Sequence, residues 1–234
     1  MKVGIIQSNY IPWRGYFDFI QSVDLFIFHD DLQYTKGDWR NRNQIRVGSS
    51  EKKWLSVPVK YTHRTQLISE TYIDYSKDWC KDHLNQIKQH LRKLPNIDLT
   101  LSVLLETFEK KPVTISQLNI ELIRSFMKIL NIHTPIALSS EFQPTGTKTE
   151  RLIGILEKTA AKTYVSGPAA KEYLDLSLFE KANIGLQYKK YKYKSYPQAY
   201  PEFDGAVSII DLISSLGTEA ANEITSLEEN EIVL

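Results

Sequence analysis

The sequence predicts an α/β chain of Rossmann-like layout, a mostly parallel sheet with a helical insert. Three observations carry that expectation. "KVGIIQ" (residues 2–7), a Pro and Gly turn, a helix-spaced apolar run over Gly15–Val23 and "DLFIFH" (residues 24–29) read as strand, loop, helix, strand. From Asp78 to Ile132 the apolar spacing is helical. Beyond Pro135 the alternation of strand and helix resumes, as in chains that build parallel sheets.

The first βαβ unit ends at the acidic pair Asp30 and Asp31, and its crossover is expected to be right-handed. Gln44–Val47 and Lys53–Val59, joined by "GSSEKK", read as a hairpin extension of the sheet. Helices are expected over Asp78–Leu94, Leu99–Lys110 and Val113–Ile132, punctuated by Pro95, Asn96 and Pro112. Pro135–Leu138 is a strand, Thr147–Ala161 a helix opened by Thr and Glu capping chemistry, and Thr163–Ser166 a strand. "SGPAAKEYL" then turns sharply, with Pro168 suited to a first helical turn. Ile184–Tyr188 is one more strand, and Ser208–Ser215 a closing helix stopped by Gly217. The run "YKKYKYKSYPQAYPEF" reads as an edge strand protected by lysines, and the tail "TSLEENEIVL" as weakly specified. The implied organisation is an α/β part with the site over residues 1–75, a helical insert over 76–132, and a second α/β part over 133–234 that completes the same domain.

Composition removes several classes of function. With 234 residues and 42% hydrophobic content the chain can bury a substantial core. Its 29 basic and 28 acidic residues leave a net charge of +1, so no global field draws it to nucleic acid or to an anionic membrane. The single cysteine, Cys80, excludes an internal disulfide framework and a Cys-cluster zinc site, and reads as a packed thiol. No basic, apolar leader precedes the first strand and no apolar run is long enough to span a bilayer, so a soluble, cytoplasmic protein without membrane insertion is expected. His63, His83, His90 and His133 lack metal-ligand spacing, and no haem, flavin or zinc is expected. The dinucleotide, P-loop and GxSxG fingerprints are all absent.

Ligands of open α/β sheets bind beyond the carboxyl ends of the strands, and three polar segments fall there. The first is the opening loop, where Gln7, Tyr10, Pro12, Trp13, Arg14 and Gly15 precede or begin a helix and Arg14 supplies a cation. The second is "HDDLQYTKGDWRNRNQIR", in which His29 and Asp30 are candidates for a general base and Asp31 and Gln33 for polar contacts. If that segment is extended, Arg40 and Arg42 share one anion-holding side while Asn41 and Asn43 take the other. The third is "YVSGPAAKEY", with Ser166 and Gly167 at a strand-to-helix turn and Lys171 one turn later.

These residues also carry a resemblance. "IIQSNYIPWRGYFDFIQSVDLFIFHDDLQYTKGDWRNRNQIR…WLSVPV", "YVSGPAAKEYL" and "SIIDLISSLG" resemble segments of the WbqC-like proteins, with Ser8 standing where that motif leads one to expect proline. The resemblance implies a bacterial protein of surface-polysaccharide biosynthesis, of O-antigen or capsule type. It carries Gln7, Tyr10, Pro12, Gly15, Asp30, Gln33, Arg42, Asn43, Ser166 and Gly167 over as site candidates. In layout alone, the P-W-x-G-Y turn is similar to the H-x-G-H turn of nucleotidylyl transferases and pantothenate synthetase, with Trp13 and Tyr16 in place of the two histidines.

The expected function is amide formation on a nucleotide-linked amino sugar by acyl or aminoacyl transfer, with His29 or Asp30 as base, Gln7, Gln33 and Asn43 as orienters, and Arg14, Arg40 and Arg42 holding diphosphate. ATP and Mg²⁺ are the compatible cofactors, and the partners are a nucleotide sugar, an acyl or amino-acid donor and a second copy in a homodimer. Nucleotidyl or glycosyl transfer with Mg²⁺ on Asp30 and Asp31 is one alternative, and a non-catalytic sugar-nucleotide binding protein another.

Overall fold

A computed structural model describes all 234 residues. In chain order the elements are β1 (Lys2–Ile6), α1 (Arg14–Gln21), β2 (Leu25–Phe28), β3 (Arg42–Arg46), β4 (Lys52–Ser56), α2 (Trp79–Leu91), α3 (Ile97–Glu109) and α4 (Ile115–Ile129). They continue with β5 (Ile136–Leu138), α5 (Lys148–Lys158), β6 (Thr163–Ser166), α6 (Leu176–Ala182), β7 (Gly185–Tyr188), α7 (Ile209–Leu216) and β8 (Glu231–Ile232).

The main sheet has the order β5-β2-β1-β6-β7-β8. Every pairing is parallel except β7 with β8. The five parallel strands thus run outward in both directions from β1 and β6, the doubly wound Rossmann-like arrangement, whose topological switch point lies between those two strands. Strand alternation sends Val3 and Ile5 to one face, where they share a core with Leu152, Ile155 and Leu156 of α5 and Phe179 of α6. Phe26 and Phe28 point to the other face and pack with α1, α7 and the helices α2 to α4. Gly4 is required on that second face because a Cβ there would overlap the Phe19 ring of α1.

Local chemistry sets the helix starts in the insert between β2 and β5. Asp78 accepts the Lys81 amide at the start of α2, and Thr114 with Gln117 forms a reciprocal capping box at the start of α4. No helix is long and apolar enough to cross a membrane.

Three expectations are corrected, and one helix is added. β3 and β4 do form an antiparallel hairpin, but it is a separate two-stranded sheet rather than an extension of the main one. Its apolar side, Ile45 and Leu55, enters the core beneath the insert, which fixes it away from the sheet edge. The lysine and tyrosine run after β7 is irregular rather than an edge strand: Lys189 pairs with Asp18, and Tyr193 Oη donates to the same carboxylate. The tail is specified, since Glu231–Ile232 pairs with β7 and Glu231 accepts Lys171. Helix α6, which lacks a long apolar repeat, is present and N-capped by Asp175.

Candidate functional site

A crevice of about 550 Å³ opens at the switch point, beyond the carboxyl ends of β1 and β6, within the size range of small-molecule sites. Gln7 leaves β1 into it, Ser166 and Gly167 leave β6 into it, His29 follows β2, and Lys148 and Arg151 overhang it from the first turn of α5. An added Cβ at Gly167 would meet nothing within 4 Å, so the floor there is open to a ligand rather than filled by protein.

The charged groups form a short chain. Arg151 donates through Nη2 to Asp31 Oδ2 at 2.6 Å, through Nη1 to the Pro144 carbonyl at 2.9 Å, and through Nε to His29 Nε2 at 3.4 Å. Asp31 Oδ1 also accepts the Ser139 hydroxyl. Burial pushes the His29 imidazole down to about 4, with Arg151 acting in the same direction and Asp31 opposing. The ring is therefore neutral at neutral pH, and the 3.6 Å approach of Nε2 to Asp31 Oδ1 is not an ion pair there. Because Arg151 donates to Nε2, the ring proton sits on Nδ1. Lys148 is exposed, makes no hydrogen bond or ion pair within the chain, and holds a left-handed backbone with φ of 48°. With Arg151 balanced by Asp31, Lys148 leaves the crevice with one uncompensated positive charge.

Several expected site residues are engaged elsewhere. Asp30 is buried and accepts the Ser8 amide at 2.7 Å and the Ser116 hydroxyl at 2.5 Å; burial pushes its carboxyl up while these bonds oppose the shift. A proline at position 8 would lack that donor. Tyr10 is fully buried, its hydroxyl 2.8 Å from His83 Nδ1. Arg14 is carried by α1 away from the strand ends: Nη2 donates to the Lys194 carbonyl at 2.9 Å, and the guanidinium lies 4.3 Å from the Tyr193 ring centre. Gly15 admits the Trp13 ring, which any Cβ there would overlap. Gln33 is exposed and bridges to Leu67, and Lys171 pairs with Glu231 on the outside.

Arg40 and Arg42 do not form one anion-holding side. Arg40 donates to Gln7 Oε1 at 2.7 Å and so fixes that side chain at the crevice rim, whereas Arg42 lies 4.2 Å over the Trp54 ring. Asn41 donates to the Val57 carbonyl, and Asn43 donates to the carbonyls of Tyr10 at 3.1 Å and Ile11 at 2.9 Å. Pro12, Trp13 and Asn43 instead line a second cavity with Asn9, Trp39 and Ala206. Cys80 is a packed thiol, pushed up to about 11 by burial.

The sequence model of the WbqC-like protein family matches residues 7–223. The chain belongs to that family. The uncharacterized protein Rv1507c of Mycobacterium tuberculosis is 41% identical to it over 222 residues, which cover 94% of this chain and 95% of the relative. No solved structure matches it. The WbqC-like match spans both walls of the crevice, from Gln7 and His29 to Lys148, Arg151, Ser166 and Gly167. Membership associates the chain with polysaccharide biosynthesis.

Lys148 and Arg151 are the charged crevice residues that sequence reasoning missed, alongside the lining tyrosines Tyr164 and Tyr173. Their signal is a pair of cations three apart in the first turn of the helix that leads into β6.

Proposed function

We propose that the chain is a cytoplasmic enzyme of bacterial surface-polysaccharide biosynthesis that forms an amide on a nucleotide-linked amino sugar by acyl or aminoacyl transfer. One observation carries this reading: a switch-point crevice that combines an unpaired cation, Lys148, with a neutral imidazole, His29.

Amide formation joins the sugar nitrogen to the acyl carbon, expels the donor's leaving group with the bonding pair, and releases one proton from nitrogen. His29 Nε2, the ring nitrogen without a proton, is the acceptor once it exchanges its long 3.4 Å contact with Arg151 Nε for the substrate N–H, while Asp31 keeps hold of Arg151 through Nη2. Gln7, pinned by Arg40, and the Ser166 hydroxyl orient the reacting groups, while Lys148 and the two unused Arg151 N–H groups face the anionic part of the substrate. The diphosphate contact thereby passes from Arg14, Arg40 and Arg42 to α5. ATP with Mg²⁺ enters as a co-substrate where the donor is a free acid needing adenylation; a preactivated donor needs neither. The Mg²⁺ reading on Asp30 and Asp31 has less support, because the two carboxylates are turned to different partners.

The test incubates the purified protein with amino-sugar nucleotides, ATP, Mg²⁺ and candidate acyl or amino acids or their thioesters, followed by mass spectrometry. An acyl or aminoacyl increment on the intact nucleotide sugar, absent in His29→Ala and Lys148→Ala, is the expected result. Pyrophosphate release with a new nucleotide-sugar bond would replace this reading with nucleotidyl transfer, and saturable binding without turnover would replace it with a binding protein.

A further inference from the structure

The second cavity, about 310 Å³, is lined in part by the opening loop. Its wall is uncharged: Asn9, Pro12, Trp13, Trp39, Asn43 and Ala206. Both tryptophans are held by aromatic neighbours. Trp13 meets the Tyr191 ring edge-on at 5.0 Å between centroids, and Trp39 sits 5.3 Å from Trp54, itself covered by Arg42. Asn9 Oδ1 is shielded from solvent and accepts no hydrogen bond, so the end of this amide that a ligand can reach is Nδ2, a donor without a partner in the chain. The loop between these residues is strained at Ile11, a β-branched residue with φ of 36°. Asn43 and Ser208 clamp that conformation through the Ile11 carbonyl.

The geometry points to a binding site for the pyranose ring of the sugar, stacked against Trp13 and Trp39, with a ring hydroxyl accepting the hydrogen of Asn9 Nδ2. A ring with an apolar C–H face and a hydroxyl rim matches an aromatic, neutral wall with one amide donor; a diphosphate, which needs cations, does not. The inference rests on the proposed reading for what the ring is attached to, with the charged portion in the switch-point crevice. Gln7 lines the crevice and Asn9 the cavity, so the two sites are separated by a single residue, about 7 Å of chain. Arg40, next to Trp39, closes the same partition by its bond to Gln7.

Saturation-transfer NMR with methyl pyranosides, including a 2-amino-2-deoxy pyranoside, and separately with UDP, tests the two sites independently. Transfer to the pyranoside ring protons is expected, lost in Trp39→Ala and in Asn9→Ala while both variants still bind UDP. Trp39 is exposed, so its replacement leaves the core intact. Pyranoside signals that persist in both variants, or that are absent from the parent while UDP binds, would overturn the assignment. Pyranoside transfer without any nucleotide binding would uphold this cavity and defeat the crevice reading instead.

Discussion

The Lys189 ammonium lies 2.9 Å from Asp18 Oδ1, and both side chains are almost wholly buried. Asp18 also accepts the Tyr193 hydroxyl at 2.8 Å and the Ser226 amide at 3.1 Å, so one carboxylate of α1 ties two later segments together, the run after β7 and the chain at Ser226. Asp18→Ala strands a buried ammonium, and a loss of about 3–5 kcal/mol is expected from urea denaturation. The double variant Asp18→Leu, Lys189→Met removes both charges and should recover part of that loss, the remainder being the Tyr193 hydroxyl and Ser226 amide left without their acceptor. A single variant within about 0.5 kcal/mol of the parent, the range of neutral surface changes, would remove the pair from the account of stability.

Arg151 is expected to control the state of His29 as well as the anion contact. Its positive charge lowers the imidazole, and its Nε bond to Nε2 favours the neutral ring. Arg151→Gln should therefore raise the His29 midpoint from about 4 towards 6.5 in an NMR titration, and weaken UDP binding in the same sample. An unchanged midpoint would separate the two roles and leave burial as the only cause of the shift.

The five parallel strands are legible in the sequence because they are short apolar runs bounded by turn residues, with Thr163–Ser166 read to the residue, whereas the two-residue β8 in the polar tail is not. The insert helices are read within a few residues because their apolar repeat and capping residues agree. Side-chain destinations are a different matter. Arg14 stands at a strand-to-helix turn like an anion ligand, yet its partner carbonyl belongs to Lys194, 180 residues away. Asp30 and Asp31 are adjacent in sequence, but an extended chain sends them to opposite sides, one to Ser8 and Ser116 and the other to Arg151. Lys148 and Arg151 look like an ordinary solvated helix start until the crossover from β5 to β6 brings that turn over the end of β1. Long-range topology decides all three cases, and no local pattern encodes it.

Stability should fall as the pH drops from about 6.5 towards 4. His29 and His83 are both pushed down to about 4 by burial, so between those values the unfolded chain binds protons that the folded chain excludes. Each contributes stability that is complete above the unfolded value of about 6.5 and lost through the folded one, on the order of 3 kcal/mol. Asp30, raised by burial, works in the opposite sense over part of this range. His83→Asn offers a polar atom to the Tyr10 hydroxyl in place of Nδ1 and removes one titration, so its unfolding free energy should vary less steeply than the parent's between pH 6.5 and 4. Equal slopes would exclude His83 as a source of acid lability.

The Ile11 turn should behave as a coupled unit. Asn43 Nδ2 donates to the carbonyls of Tyr10 and Ile11, and the Ser208 hydroxyl donates to the same Ile11 carbonyl at 2.6 Å. Asn43→Ala removes two buried bonds and should cost about 2–3 kcal/mol; Ser208→Ala leaves Asn43 on the carbonyl but also removes the cap on the Ile210 amide of α7, and should cost about 1–2 kcal/mol. Residues that share one acceptor are not independent, so the double variant should depart from additivity by about 0.5 kcal/mol or more in a double-mutant cycle. With both clamps gone, the positive φ at Ile11 has nothing to hold it, and Asn9 and Trp13 on either side lose their fixed spacing. The double variant should then lose methyl pyranoside binding under conditions where circular dichroism still reports a folded chain. Strict additivity with binding intact would mean that the strain at Ile11 is held by the packing of its buried side chain, not by these two donors.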